Sequence, residues 1–193
     1  MNIRKINHFI APMLQNGAIG VLPTDTLYGI VGSALDRTAV LRIYRVRRRN
    51  PKKPMIILVG SVRDLGLFGI RPDAFMKKIL KKSWPGPISV IAPLPARSRF
   101  AYLHRGTKTL AFRMPKAAWL RSLLAKAGPL VAPSANLEGK PPAKTLSEAK
   151  RYFGDRVDFY VDAGRRDAPP STLIALRDGA VTVLRQGAAK ARF

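Results

Sequence analysis

The chain is predicted to be an α/β protein: a sheet with helices packed on it and a mixed-direction edge. Three observations carry that expectation. Helical and strand patterns alternate from one end to the other. Met55 to Val59 is an unbroken apolar run, of the kind buried on both faces of a sheet. Helix start and stop residues (Asp36, Gly128, the Thr145/Glu148 pair) fall between the apolar stretches.

Taken in order, residues 8–16 predict a first helix closed by Gly17, and Ala18 to Leu22 a strand running into Pro23. Asp36 can cap a helix over 37–48 whose apolar side carries Ala39, Val40, Ile43 and Tyr44. After the 55–59 strand, Pro72 suits the first turn of a helix bearing Phe75, Met76, Ile79 and Leu80, with four lysines towards its C-terminal end. Ile88 to Ala92 and Thr109 to Met114 read as strands. Pro115 opens a helix that Gly128 closes, and Leu130 to Ala132 is a short strand into a Pro-Ser-Ala-Asn turn. Thr145 and Glu148 form a capping box before a helix ending at Gly154. Val157 to Val161, Thr172 to Leu176 and Val181 to Leu184 complete the strands, and 93–107 and 163–170 are the best loop candidates.

Composition narrows the chemistry. At 193 residues, 47% hydrophobic and 24% charged, the chain can bury roughly 70% of its unfolded surface without a staple. It has no cysteine, which excludes disulfides, thiol catalysis and thiolate metal sites. No apolar run is long enough to cross a bilayer and the N-terminal segment lacks a clean apolar core, so a cytoplasmic protein without membrane contact is expected. Lys plus Arg is 35 against 11 Asp plus Glu, a net +24 that attracts polyanions such as nucleic acid or phosphorylated metabolites, or serves solubility alone. With so few acids and two histidines, no dedicated metal site is expected. Neither a P-loop nor a GxGxxG turn is present.

Four segments remain. Leu22 to Ile30 ends a strand in Pro23-Thr24-Asp25-Thr26, where hydroxyls can meet a ligand or their own backbone. Arg45 to Pro54 packs six cations into its first nine residues; if extended, Arg47 and Arg49 point the same way and can grip a polyphosphate, and otherwise the run is a solvated face. Arg113, at the end of an apolar strand, needs an anion: a ligand carboxylate, or an internal acid in a chain short of acids. Ala132 to Pro142 offers small residues, the Ser134 hydroxyl and the Asn136 amide, or is a structural loop.

In order and spacing these segments, with Trp84-Pro85-Gly86-Pro87, Ser171-Thr172 and Leu184-Arg185-Gln186-Gly187, resemble the YrdC-type threonylcarbamoyl-AMP synthase family from about residue 8 to 187. The resemblance implies a single domain over 1–193, built on a twisted, mixed, largely parallel open sheet with flanking helices and a concave basic cleft. It implies an enzyme, a nucleotidyltransferase that joins L-threonine, bicarbonate and ATP into threonylcarbamoyl-AMP and pyrophosphate. The product serves tRNA modification, passing to partner proteins of that process. Thr24, Arg113, Ala132 and Ser171 would hold threonine. Arg47, Arg49, Lys53, Thr109, Ser134, Pro142 and Arg185 would hold ATP, with Asn136 fixing the Ser134 turn, Arg47 and Arg49 acting in catalysis, and Mg²⁺ carried mainly by the phosphates.

Four positions depart from the family's pattern. Arg47 replaces a usual Lys, Asn50 a common Pro, Glu138 a small Ser, and Asp162-Ala163-Gly164 stands for Asp-Gly-Gly. The guanidinium of Arg47 cannot act as a compact point charge on a phosphate, which bears on ATP handling above all. Two alternatives stay open: a non-catalytic member of the fold binding tRNA or double-stranded RNA through its charge, and carbamoyl transfer to another acceptor.

Overall fold

The structure is a computed structural model that describes residues 3–177 and 179–190. In chain order its elements are α1 (Ile3–Gln15), β1 (Gly20–Pro23), β2 (Tyr28–Ser33), α2 (Arg37–Val46), β3 (Ile56–Leu58), α3 (Ala74–Ser83), β4 (Ile88–Pro93), α4 (Ala101–His104), β5 (Thr109–Arg113), α5 (Ala118–Ala127), β6 (Leu130–Val131), α6 (Leu146–Phe153), β7 (Phe159–Tyr160), β8 (Thr172–Arg177) and β9 (Ala180–Arg185).

Local chemistry sets most boundaries. Asp36 caps α2, its Oδ1 accepting the Thr38 amide at 2.7 Å. Asp73 caps α3 by accepting the Met76 amide at 2.7 Å, so Pro72 lies just outside the helix rather than in its first turn. Pro115 also stays outside: Asp25 Oδ2 holds the Lys116 amide at 3.0 Å, and α5 starts only at Ala118. Gly128 ends α5 at φ +81°, as expected of a glycine stop. Thr145 caps α6 through the Glu148 amide, but the Glu148 carboxylate reaches the Lys144 amide instead of closing a capping box. The 93–107 stretch contains α4.

The sheet is open and mixed, with the order β7-β1-β2-β6-β3-β5-β4-β8-β9 among the described residues. β7–β1, β3–β5 and β4–β8 pair in parallel; the other five pairings are antiparallel. The parallel share is therefore smaller than expected. One reason is that Tyr28–Ser33 is a strand, forming a tight hairpin with β1 (Leu22 opposite Gly29) rather than a continuing turn.

Side chains alternate between two apolar layers with the two-residue period of a strand. Val21, Ile30, Ile57 and Val131 join the layer of α2, α3 and α6. Leu22, Val31, Leu58 and Leu130 join the layer of α1 and α5. On β5, Leu110 and Phe112 belong to the first layer. Their neighbours Thr109, Ala111 and Arg113 face the other way, and there they line a hollow.

Candidate active site

The hollow is a cavity of about 500 Å³, floored by Ile91 of β4, Thr109, Ala111 and Arg113 of β5 and Leu173 of β8. Loops form its walls, with Thr26 and Leu27 of the turn between β1 and β2 among them. The basic segment supplies Arg49, Lys52 and Lys53; the turn after β6 supplies Ala132, Pro133 and Ser134; the approach to β8 supplies Pro170 and Ser171, with Arg185 from β9. Five cations line it, and none of the described lining residues is a carboxylate.

At one end Arg113 is 4% exposed. Its Nη1 donates to Thr26 Oγ1 at 3.2 Å and pairs with Asp25 Oδ1 at 3.2 Å. The internal acid that its burial demands therefore exists. Burial pulls the Arg113 guanidinium below its ordinary range, Asp25 opposes that, and nearby Arg185 adds to it. Arg113 Nε remains buried without a partner. Beside it Ser171 Oγ lies 2.9 Å from Ser89 Oγ, and Arg185 Nη2 donates to the Ser171 carbonyl at 2.8 Å.

At the other end α2 stops with Arg48 at φ +50°, and the Arg49 amide reaches back to the Tyr44 carbonyl at 2.9 Å. The segment is thus a tight helix stop, not an extended run, and the side chains of Arg47 and Arg49 part. Arg49 lines the cavity, fixed by the carbonyls of Lys53 (3.2 Å) and Pro54 (2.8 Å). Arg47 turns inward, 2% exposed, and donates to the Asn136 carbonyl at 3.0 Å and to Asn136 Oδ1 at 3.1 Å. Burial, with Arg49 adding to it, pulls Arg47 down to about 10, so it stays charged at neutral pH. Asn136 Oδ1 also accepts from Ser134 Oγ at 2.6 Å, while its Nδ2 holds the Leu137 and Lys140 carbonyls at 2.8 Å.

Of the residues singled out by sequence, Arg49, Lys53, Thr109, Arg113, Ala132, Ser134, Ser171 and Arg185 line this one cavity. Four are not among its lining residues. Arg47 and Asn136 form the buried bracket behind Ser134. Thr24 lies behind Thr26: its hydroxyl donates to the Leu27 carbonyl at 2.7 Å and sits 3.1 Å from Thr26 Oγ1, because the hairpin turn consumes it locally. Pro142 lines a separate hollow with Lys144, Tyr152 and Arg165. Sequence reasoning missed Thr26 and Asp25 as the partners of Arg113; the signal was the carboxylate between two hydroxyls, undecidable without the hairpin register. It also missed Tyr28, a lining residue whose hydroxyl donates to the Gly164 carbonyl at 2.7 Å and accepts the Ala163 amide at 3.0 Å.

Fold and cavity together define the class: an α/β protein with a cation-lined cavity floored by strands of its sheet, suited to anionic small molecules. Residues 12–187 match the Sua5/YciO/YrdC family, described as "Telomere recombination", and the chain belongs to that family. It is 34% identical over 168 residues to the threonylcarbamoyl-AMP synthase of Chromohalobacter salexigens, covering 86% of this chain and 90% of that one. Its fold matches that of Pyrococcus abyssi Sua5 complexed with L-threonine at a TM-score of 0.87 and 28% identity, over 97% of this chain and 55% of the longer Sua5 chain. E. coli YciO shares the fold at a TM-score of 0.85 and 24% identity, over 98% of this chain and 92% of that one. Among the described residues no helix is long and apolar enough to cross a membrane.

Proposed function

We propose that the chain is a threonylcarbamoyl-AMP synthase, a single cytoplasmic domain whose product serves N6-threonylcarbamoyladenosine formation in tRNA. One observation carries this reading: in a member of this family, a cation-rich basic segment and a buried arginine with hydroxyls beside it open into the same cavity. The threonine carboxylate binds at Arg113, with Thr26 and Ser171 beside it. The ATP phosphates lie toward Arg49, Lys52 and Lys53, near Ser134, Thr109 and Arg185.

The chemistry suits such a site. The threonine amine attacks the carbon of bicarbonate, and a carbamate forms as water leaves. A carbamate oxygen then attacks the α-phosphorus; the new O–P bond forms as the bond to the β-phosphate oxygen breaks and pyrophosphate departs. Two anions must meet and charge must build on the leaving group, so fixed cations and positioning can supply most of the catalysis. The described residues contain no group of three or more metal-ligating side chains, so Mg²⁺ would arrive on the phosphates of ATP. The net charge of +24 suits the chain to meet tRNA as well.

The test is pyrophosphate release by the purified chain. Release that requires threonine and bicarbonate together is expected. Release from ATP alone, or none under any condition, overturns the reading; in the latter case RNA binding that weakens steeply with salt marks the non-catalytic alternative.

A further inference from the structure

Glu138 makes three links between two loops of the cavity wall. Its amide donates to the Arg47 carbonyl at 2.9 Å. Its Oε2 accepts the Asn50 amide at 2.6 Å, and its Oε1 takes the Lys53 ammonium at 2.8 Å. Glu138 follows the Ser134–Asn136 bracket, while Asn50 and Lys53 belong to the basic segment 85 residues away in the chain. The Lys53 backbone is pinned as well, its carbonyl accepting from the Tyr44 hydroxyl at 2.9 Å and from Arg49 Nε at 3.2 Å. A lysine at a cavity rim ordinarily loses rotamer freedom when it grips an anion. Here the Lys53 side chain is 61% exposed, and its ammonium is engaged by Glu138. With Arg47 turned into the core, Lys52 and Lys53 are the compact ammonium groups on the cavity lining.

We infer that Glu138 is a positioning residue: it clasps the basic segment to the Ser134 turn and presents Lys53 to the phosphates of the nucleotide. The inference rests on the nucleotide half of the proposed function. A carboxylate near a polyphosphate also repels it, so the clasp and the bare charge make opposite predictions, and the sign of the effect separates them.

The experiment is a double-mutant cycle on ATP affinity, with threonine affinity titrated in parallel on every protein. Glu138→Ala is expected to weaken ATP binding about tenfold, the loss of a charge-assisted contact, with threonine affinity held within about twofold because Arg113 is untouched. In a Lys53→Ala background the same change is expected to cost no more than Lys53→Ala alone. Amide exchange at Asn50 is expected to speed up in Glu138→Ala even without ligand. Unchanged or tighter ATP binding in Glu138→Ala overturns the clasp, as do losses that add in the double variant. Failure of the parent protein to bind ATP while it binds threonine is a different result: it overturns the nucleotide site itself.

Discussion

Arg113 is held by geometry that leaves it room for one more anion. Asp25 and Thr26 engage Nη1, Nε has no partner, and the residue lines the cavity. On the proposed function, removing the guanidinium takes away the threonine carboxylate's partner and leaves Asp25 without its ion pair behind the cavity. Arg113→Ala is therefore expected to weaken threonine binding by at least about 30-fold, the low end for breaking a buried charge pair. ATP affinity should change far less. Titration calorimetry with each ligand measures both, and equal losses would contradict the assignment of the two ends of the cavity.

At the scale of elements, two joints decide the shape of the wall. The first is the end of α2, where Arg48 takes a left-handed conformation that a side chain tolerates poorly. Arg48→Gly should relieve that strain and raise stability by about 1 kcal/mol, read as a higher urea midpoint at unchanged slope. The second joint is Gly187, just past β9. A Cβ there would collide with the Pro170 carbonyl oxygen and lie 2.6 Å from the carbonyl carbon of Ser171. Both contacts are backbone, so a side chain must push the 170–172 segment away. Gly187→Ala is expected to cost about 2 kcal/mol of stability, the scale of overpacking, and to lower threonine affinity by moving Ser171. Denaturant titration and calorimetry check the two effects separately; wild-type values in both would mean the segment yields freely.

At the scale of the whole molecule, a chain with a net charge of +24 must place its few acids well. Asp158 joins three elements: it pairs with Arg42 of α2 at 2.6 Å and accepts the Ile19 amide at 2.8 Å just before β1, while leading into β7. The Arg42 hydrogen bond, helped by the Ile19 amide, holds its carboxyl below the usual range. The Lys53 and Asn50 hydrogen bonds do the same for Glu138. A carboxyl whose folded value is depressed stabilises the fold above its unfolded value and loses that contribution as pH falls through the folded one. Stability is thus expected to be flat near neutrality from these two groups and to fall below about pH 4. Urea midpoints across pH 7 to 3 test this, and Asp158→Asn should flatten the acid limb while lowering stability at pH 7. A midpoint that does not move on acidification would remove these acids from the account.

How much of this was legible in the chain divides by the range of the forces involved. Asp36 and Thr145 hold amides two or three residues on, Gly128 ends its helix through its own positive φ, and the runs at 55–59 and 109–114 are short and largely apolar, as buried strands are. The α/β plan, most of its elements and eight cavity residues could therefore be read from residue order, spacing and resemblance. Tyr28–Ser33 could not: Leu22 to Ile30 reads as a strand end followed by a turn, and residues 28–33 become a strand because β1 and β6 pair with their two edges. The direction of Arg47, the choice of Thr26 over Thr24, and the union of Asp25 with Arg113 were likewise decided only by tertiary structure. Each depends on a partner brought from far along the chain, or on a register no local pattern encodes. Sequence alone determined which groups were available for chemistry; packing decided which of them face the cavity and which are spent holding it open.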